Sequence, residues 1–139
     1  MSIEVESLKK KDIDSYINFI NEVFDYEASK DAIEKMIRKA KVLVIKDEQK
    51  VVASIVLKER FEYIKNQKYY FVSYLGVKKE YRRKGYASKL FEKVEQLAKE
   101  NEIKYLELTS GNHRRAAHYF YKDKKFKTKD TTVFIKIYN

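Results

Sequence analysis

The first half of the chain combines strand-like and helix-like spacings of apolar residues. Residues 3–8 alternate apolar and polar side chains, as a half-buried strand does. Apolar residues at intervals of three and four then predict one helix that begins after Asp12, which can cap it, and a second that follows Ser29. Two β-branched runs, at residues 42–45 and 51–57, are separated by a short polar stretch, so they predict a hairpin.

The second half continues this succession of strands and helices. An aromatic-rich strand is predicted at residues 69–77. The helix after it has apolar residues at a 3.6-residue period, namely Ala87, Leu90, Phe91, Val94, Leu97 and Ala98. The remaining predictions are a strand at 103–110, a helix from 112 to about 124, a strand near Phe126 and a strand at 132–138. The order β-α-α-β-β-β-α-β-α-β-β indicates a mixed α/β or α+β sheet with helices on its faces. No repeat or linker interrupts it, so we predict one domain over residues 1–139.

Composition narrows the chemistry and the expected location. The chain has no cysteine, which excludes disulfides, thiolate zinc sites and a cysteine nucleophile. No apolar run approaches the roughly 20 residues that span a bilayer. The first residues also lack the basic start and the apolar stretch of a secretory signal. We therefore expect a cytoplasmic protein that does not enter a membrane.

The net charge of +10 arises from 31 Lys and Arg residues against 21 Asp and Glu residues. Such an excess fits an anionic partner, such as nucleic acid, an acidic protein or a phosphorylated cofactor. It equally fits a Lys-rich surface that is only solvated. The basic residues are spread along the whole chain in local clusters. Charge alone therefore does not distinguish the two interpretations.

The most informative segment is residues 72–87, in which a strand runs through a basic turn into a helix. The first N–H groups of a helix lack backbone partners and carry partial positive charge, so they bind anions. Gly85 lets the backbone approach a ligand closely, and Arg82, Arg83 and Lys84 add charge beside it. The turn suits a pyrophosphate, although a glycine that merely begins a helix gives the same pattern. It matches neither the dinucleotide-binding nor the Walker-type glycine motif.

Residues 82–87, Arg-Arg-Lys-Gly-Tyr-Ala, match the signature Gln/Arg-x-x-Gly-x-Gly/Ala, and here the chain resembles the GNAT superfamily of acetyl-CoA-dependent N-acetyltransferases. The resemblance implies an acyl-CoA N-acyltransferase fold, with a mostly antiparallel sheet of about six to seven strands and helices on both faces. It also implies that backbone amides of the turn hold the coenzyme A pyrophosphate and that a bulge in the preceding strand meets the pantetheine arm. Glycine inside a strand often marks a bulge. The cofactor-binding residues so implied are Leu75, Gly76, Val77, Arg82, Arg83, Lys84, Gly85, Tyr86, Ala87, Ser88 and Asn112.

A second stretch, residues 110–121, is similar to another motif of the family. Asn112 is interpreted as a helix cap, and the resemblance adds a hydrogen bond to the cofactor. Tyr121 matches the family's tyrosine general acid, although one of twelve tyrosines taken in isolation would be assigned to the core. Where the family continues with Gly-Phe, this chain has Lys125 and Phe126, so Lys125 must adopt the helix-ending conformation that glycine adopts easily.

The general base is less well defined by the sequence. Glu107 is a candidate because some members of the family place a catalytic glutamate on this strand; a solvent-facing strand glutamate is the alternative. His113 and His118 are the only histidines and have no carboxylate-rich neighbourhood. We therefore predict no metal site.

The predicted function is transfer of acetyl from acetyl-CoA to a primary amine, by direct attack in a ternary complex. The acceptor is a small-molecule or peptide amine of unidentified structure, and the protein is a monomer or a homodimer. Acidic residues that could attract a cationic amine are Glu22, Asp25, Glu27, Glu59 and Glu62, and each of them also fits solvated surface. Two other functions stay open: a non-catalytic relative that binds coenzyme A, and a basic nucleic-acid-binding module. The latter lacks a recognisable reading motif, so we do not expect nucleic acid as a partner.

Overall fold

The structure is a computed structural model that describes residues 3–139, and its elements follow the predicted order as far as the fourth helix. The strands are β1 (Glu6–Ser7), β2 (Lys41–Asp47), β3 (Lys50–Glu62), β4 (Gln67–Val77) and β5 (Tyr105–Glu107). The helices are α1 (Ile13–Phe24), α2 (Lys30–Lys39), α3 (Tyr86–Glu100) and α4 (Arg115–Asp123). Short 3-10 turns occupy Lys10–Asp12 and Lys79–Tyr81. None of the helices in the described range has the length and apolar character that a bilayer span requires.

The chain forms two compact units, and the first, which ends at Leu108, contains the sheet. Its strands lie in the order β1-β2-β3-β4-β5. Neighbours are antiparallel except for β4 and β5, which are parallel. The longest pairing, between β3 and β4, runs from Ala53 opposite Val77 to Glu62 opposite Gln67. The predicted class, a mixed and mostly antiparallel sheet with helices, is confirmed, with five strands among the described residues where six or seven were expected.

Helices α1 and α2 cover one face of the sheet. Their buried residues, among them Tyr16 and Phe19, form one apolar cluster with Val42 and Val44 of β2. Tyr16 is fully buried, and its hydroxyl accepts a hydrogen bond from Ser54 Oγ at 3.2 Å. Burial raises the pKa of Tyr16 to about 12, because an ionised phenolate would lose its hydration there. The pair of Tyr16 and Ser54 is thus neutral and hydrogen-bonded within the core.

Helix α3 packs against the opposite face. Side chains alternate along a strand, so Leu43 and Ile45 of β2 point away from the α1–α2 cluster. Helix α3 contacts β2, β3 and β4. Its buried residues are Leu90, Phe91, Val94 and Leu97. The predicted apolar stripe is therefore confirmed, and the sheet carries helices on both faces.

Asp12 precedes α1 as predicted, but its side chain does not cap the helix. The buried carboxylate lies instead 3.2 Å from Lys46 Nζ, and Glu6 lies 3.0 Å from the same ammonium group. The hydrogen bond to Glu6, aided by Asp12, raises the pKa of Lys46. A buried carboxylate needs a cationic partner, and Lys46 supplies it. Ser29, in contrast, does cap α2, because its Oγ accepts the Ala32 N–H at 3.1 Å.

The second unit, Thr109–Asn139, contains α4 and the residues after it. The strands predicted near Phe126 and at residues 132–138 are wrong, since no strand follows β5 in the part of the chain that the structure describes. Val133 is 74% exposed and Phe134 is 91% exposed. A β-branched, aromatic pattern shows that a segment is suited to a strand, but a strand also needs a hydrogen-bonding partner, which the pattern does not identify.

Candidate functional site

Strand β4 contains a bulge at the position where the cofactor's reactive end was expected. Ser54 of β3 pairs with Gly76, whereas Val56 pairs with Ser73, so Tyr74 and Leu75 together face a single residue of β3. Tyr74 has a φ of +49°, which is uncommon outside glycine. A bulge leaves backbone groups without ladder partners. The predicted bulge around Leu75 is therefore present, but Tyr74 and Leu75 form it rather than Gly76.

Gly76 is required for a different reason, namely a close approach of helix α1. A methyl group on its α-carbon would lie 2.7 Å from Phe24 Cζ and 2.8 Å from Val23 Cγ1. Both residues belong to the last turn of α1. The missing side chain of Gly76 therefore lets α1 end directly over the bulge.

The turn that leads into α3 has the features of an anion site. Gly85 has a φ of +82° and precedes the first helical residue, Tyr86, and no side chain caps the helix. The amides of the first turn are therefore available to a ligand. A methyl group added at Gly85 would meet nothing within 4 Å. The space in front of the helix is thus open, and the turn fits a diphosphate.

The three basic residues of this turn differ in what they contact. Arg82 Nε donates to the Val77 carbonyl oxygen at 3.0 Å, which ties the turn to the end of β4. The Lys84 ammonium lies 5.6 Å from the centre of the Tyr81 ring. Arg83 has a φ of +62°. All three are exposed, so their charge faces solvent beside the open helix start, as the sequence predicts.

A hydrogen bond that the sequence did not reveal fixes the same turn to the β2–β3 hairpin. The Tyr81 hydroxyl donates to Asp47 Oδ2 at 2.6 Å. This bond raises the pKa of Tyr81 to about 12, because losing the proton would place two negative oxygens side by side. The Tyr81 ring also stacks on Tyr86, with 5.7 Å between centroids. No spacing rule links residues 34 apart, so only the structure shows that Tyr81 positions the turn.

Glu107 lies on the sheet face that α1 and α2 cover. It pairs in register with Phe71 of β4, and cross-strand partners share a face. Ser73, two residues along β4, pairs with Val56, which belongs to the α1–α2 cluster. Glu107 is half-buried. Its role as the general base stays a prediction.

In the second unit, Asn112 is exposed and does not cap α4, which begins at Arg115 with Arg114 as its N-cap residue. The expected cap is therefore wrong. The chain makes a turn first, in which the Arg114 N–H donates to the Gly111 carbonyl oxygen at 3.0 Å. This turn delays the helix by three residues relative to the predicted start at residue 112. The contact between Asn112 and the cofactor is a separate matter and stays a prediction.

Tyr121 lies on α4 and is half-buried. Burial raises its pKa, and the positive charge of Arg114 partly offsets that effect. Its ring contacts Phe126 edge-on, at 5.7 Å between centroids. Lys125, between them, has a φ of +72°, so the prediction that lysine adopts the glycine-like conformation here is confirmed. Like any phenol, the Tyr121 side chain is protonated at neutral pH and carries a proton that it could donate.

Metal chemistry has no evident centre in the described part of the chain. Within residues 3–139, no three His, Asp or Glu side chains converge into a group that could hold a metal ion. His113 is exposed and His118 is half-buried.

Solved structures of acetyltransferases share this fold over nearly the whole chain. A possible acetyltransferase from Clostridium difficile 630 is 23% identical, with a TM-score of 0.80, covering 100% of this chain and 99% of that one. A ribosomal-protein-alanine N-acetyltransferase from Brucella melitensis biovar Abortus 2308 is 15% identical, with a TM-score of 0.82, covering 99% and 100%. An aminoglycoside 6'-N-acetyltransferase from Acinetobacter haemolyticus is 16% identical, with a TM-score of 0.78, covering 98% and 99%. At these identities the likeness establishes the fold.

The family is established by the sequence itself. No protein of curated function is significantly similar to the chain. The sequence model of the acetyltransferase (GNAT) family, however, matches residues 7–126, which include the bulged strand, the open helix start and α4. The chain therefore belongs to the GNAT family of acetyltransferases.

Proposed function

We propose that this protein transfers an acetyl group from acetyl-CoA to a primary amine by direct attack in a ternary complex. One observation carries the proposal: the bulge at Tyr74 and Leu75 and the uncapped start of α3 at Gly85 follow each other along ten or so residues of chain. The first exposes backbone groups of a strand, and the second exposes backbone amides of a helix. A thioester joined by a long arm to a diphosphate needs both kinds of contact.

Residues of the turn would hold the diphosphate. The amides of Tyr86, Ala87 and Ser88 form the first turn of α3, where the helix dipole favours an anion. Arg83 and Lys84 add exposed positive charge, and the net charge of +10 attracts an anionic cosubstrate from a distance. Backbone groups of Leu75, Gly76 and Val77 would contact the pantetheine arm, and Asn112 is proposed as a further contact. When bound, coenzyme A supplies the acetyl group as an activated thioester.

The transfer requires two proton movements, which we assign to Tyr121 and Glu107. The amine nitrogen attacks the thioester carbonyl carbon, a C–N bond forms, and the C–S bond breaks with the electron pair leaving on sulfur. Tyr121, whose phenol is protonated at neutral pH, donates its proton to that sulfur. Glu107, directly or through a water molecule, accepts a proton from the amine nitrogen. Backbone N–H groups at the bulge stabilise the charge on the carbonyl oxygen. The products are an N-acetylated amine and free coenzyme A.

The test is acetyl-CoA-dependent release of free thiol in the presence of a panel of primary amines. We expect thiol release that requires both substrates, and mass spectrometry of the product should show one added acetyl group. Acetyl-CoA binding without transfer to any amine would contradict catalysis and favour a role for coenzyme A as a ligand only. Salt-sensitive binding of labelled RNA or DNA that acetyl-CoA does not alter would favour a nucleic-acid-binding function instead.

A further inference from the structure

A cavity of about 630 Å³ lies beside the bulge, between helix α1, helix α2 and strand β4. Its walls include Ile20 of α1 and Ile33 and Met36 of α2. Tyr26 and Glu27, in the connection between the helices, and Tyr74 of the bulge also line it. The volume is within the usual range for small-molecule sites, about 300–1,000 Å³.

One backbone conformation and two hydrogen bonds fix the connection between α1 and α2. Asp25 ends α1 in the left-handed conformation, with a φ of +55°. The Ala28 N–H donates to Asn21 Oδ1 at 2.8 Å, and Ser29 caps α2. Tyr26 and Glu27 therefore lie on a connection whose backbone is held at both ends.

Tyr26 and Tyr74 form the aromatic wall of the cavity, and the Phe24 ring packs against both. Phe24 stacks on Tyr26 at 6.3 Å between centroids, and Tyr74 meets both rings edge-on, at 6.0 Å from Phe24 and 6.3 Å from Tyr26. Phe24 is also the ring that lies against Gly76. Tyr74 is adjacent in sequence to Leu75. Tyr74 thus belongs both to the aromatic wall and to the bulge at which the thioester is proposed to bind.

Charge in the cavity is limited to one carboxylate. Of the side chains that line it, all within the described residues, Glu27 alone is ionisable at neutral pH. The other walls are aliphatic or phenolic. The protein as a whole carries a net charge of +10. The cavity therefore offers one site for one ammonium group, within a molecule that repels multiply charged cations.

We propose, as an extension that rests on the proposed acetyl transfer, that this cavity binds the acceptor and selects a primary monoamine with an aromatic or branched apolar body. The body lies against Tyr26, Tyr74 and the aliphatic walls, where burial of apolar surface supplies the affinity. The amino group binds as an ammonium ion paired with Glu27, releases one proton to water and attacks as the neutral amine, whose next proton goes to Glu107. Polyamines and aminoglycosides carry several ammonium groups, for which these walls have no counter-charges.

The test compares kcat/KM for acetyl transfer to 2-phenylethylamine, isoamylamine, spermidine and kanamycin at saturating acetyl-CoA. We expect kcat/KM for the two monoamines to exceed that for the two polycations by at least about tenfold. A tenfold ratio corresponds to a difference of roughly 1.4 kcal/mol in activation free energy. Preference for spermidine or kanamycin would overturn the inference while leaving acetyl transfer intact. Loss of acetyl-CoA binding, measured separately by calorimetry, would instead count against the proposed function.

Near-isosteric variants keep the test independent of folding. Glu27→Gln should raise KM for 2-phenylethylamine several-fold, and Glu95→Gln, which makes the same charge change on an exposed position of α3, should not. Tyr26→Ala should raise KM for 2-phenylethylamine more than Tyr26→Phe does, because the ring supplies the apolar contact. Tyr26 is 54% exposed, so neither change removes a core residue. Unchanged KM in both Glu27→Gln and Tyr26→Ala would show that the amine binds elsewhere.

Discussion

Phe24 lies against Gly76 so closely that a methyl group on the glycine would lie 2.7 Å from Phe24 Cζ. The contact joins the end of α1 to the strand segment just after the bulge. It therefore places the aromatic wall of the cavity next to the proposed thioester site. Gly76 does not have a positive φ, so its backbone conformation does not require glycine. The position needs glycine because a side chain would collide with α1.

Replacing Gly76 with alanine should therefore destabilise the protein by about 1–3 kcal/mol, the usual cost of forcing an extra methyl group into packed surroundings. Urea denaturation measures the change. Gly111→Ala is a matched control, because its methyl group would meet the Cε1 atom of the exposed His113 side chain at 2.9 Å, and that side chain can move. Phe24→Leu combined with Gly76→Ala should recover part of the loss. Equal stability of Gly76→Ala and wild type would show that α1 is free to shift.

Tyr121→Phe should lower kcat by about a hundredfold or more, in the range that general acids contribute. The affinity for acetyl-CoA should stay within about twofold, since the ring is retained. Tyr119→Phe serves as the control on the same helix, at a position 76% exposed. Steady-state kinetics and calorimetry together separate the two effects. An unchanged kcat would remove Tyr121 from the role of proton donor.

Tyr81→Phe should weaken acetyl-CoA binding by roughly threefold to tenfold while leaving kcat at saturation nearly unchanged, as expected of a residue that holds a binding turn in place. The hydroxyl that bonds to Asp47 is removed, but the ring that stacks on Tyr86 remains. Tyr63→Phe, at a position 81% exposed, controls for loss of a phenol. A drop in kcat with unchanged affinity would contradict a positioning role.

Tyr16 should make the protein lose stability in alkaline solution. Its pKa is about 12 in the folded state and about 10 in the unfolded state, so above pH 10 the unfolded chain releases a proton that the folded chain retains. The free energy of unfolding should fall by roughly 2–3 kcal/mol between pH 10 and 12 on this account. Tyr16→Phe should make that part of the profile less steep, with the share due to Tyr81 retained, whereas Tyr63→Phe should leave it unchanged. Parallel profiles for wild type and Tyr16→Phe would refute the assignment.

The sequence predicted the elements whose buried side chains recur at regular intervals along the chain. The stripe of α3 and the hairpin of β2 and β3 could be read because burial imposes a spacing on neighbouring residues. The conformation of Lys125 was predictable because the family has glycine at this position, and glycine commonly ends a helix in the left-handed conformation. The absence of the last predicted strand was not predictable. Residues 132–138 have the composition of a strand, but a sequence pattern does not show whether another strand is available to pair with them.

Within the site, the turn at Gly85 was predictable and the long-range contacts were not. A glycine before an amphipathic helix is a local signal. The bond between Tyr81 and Asp47 and the contact between Gly76 and Phe24 depend on how distant segments cross. Gly76 was predicted to mark the bulge, whereas its missing side chain admits Phe24, and a sequence pattern does not distinguish these two reasons for a glycine.

The most direct measurement is a calorimetric titration of acetyl-CoA into wild type, Gly85→Gln and Gly85→Glu. Both variants place a side chain at a φ of +82°, which destabilises each by about 1–2 kcal/mol. They differ only in charge at the open helix start. We predict micromolar binding to wild type, weaker binding to Gly85→Gln, and at least about tenfold further loss in Gly85→Glu, whose carboxylate opposes the diphosphate. Absence of binding to wild type, or equal affinity of the two variants, would contradict the assignment of this turn as the cofactor site.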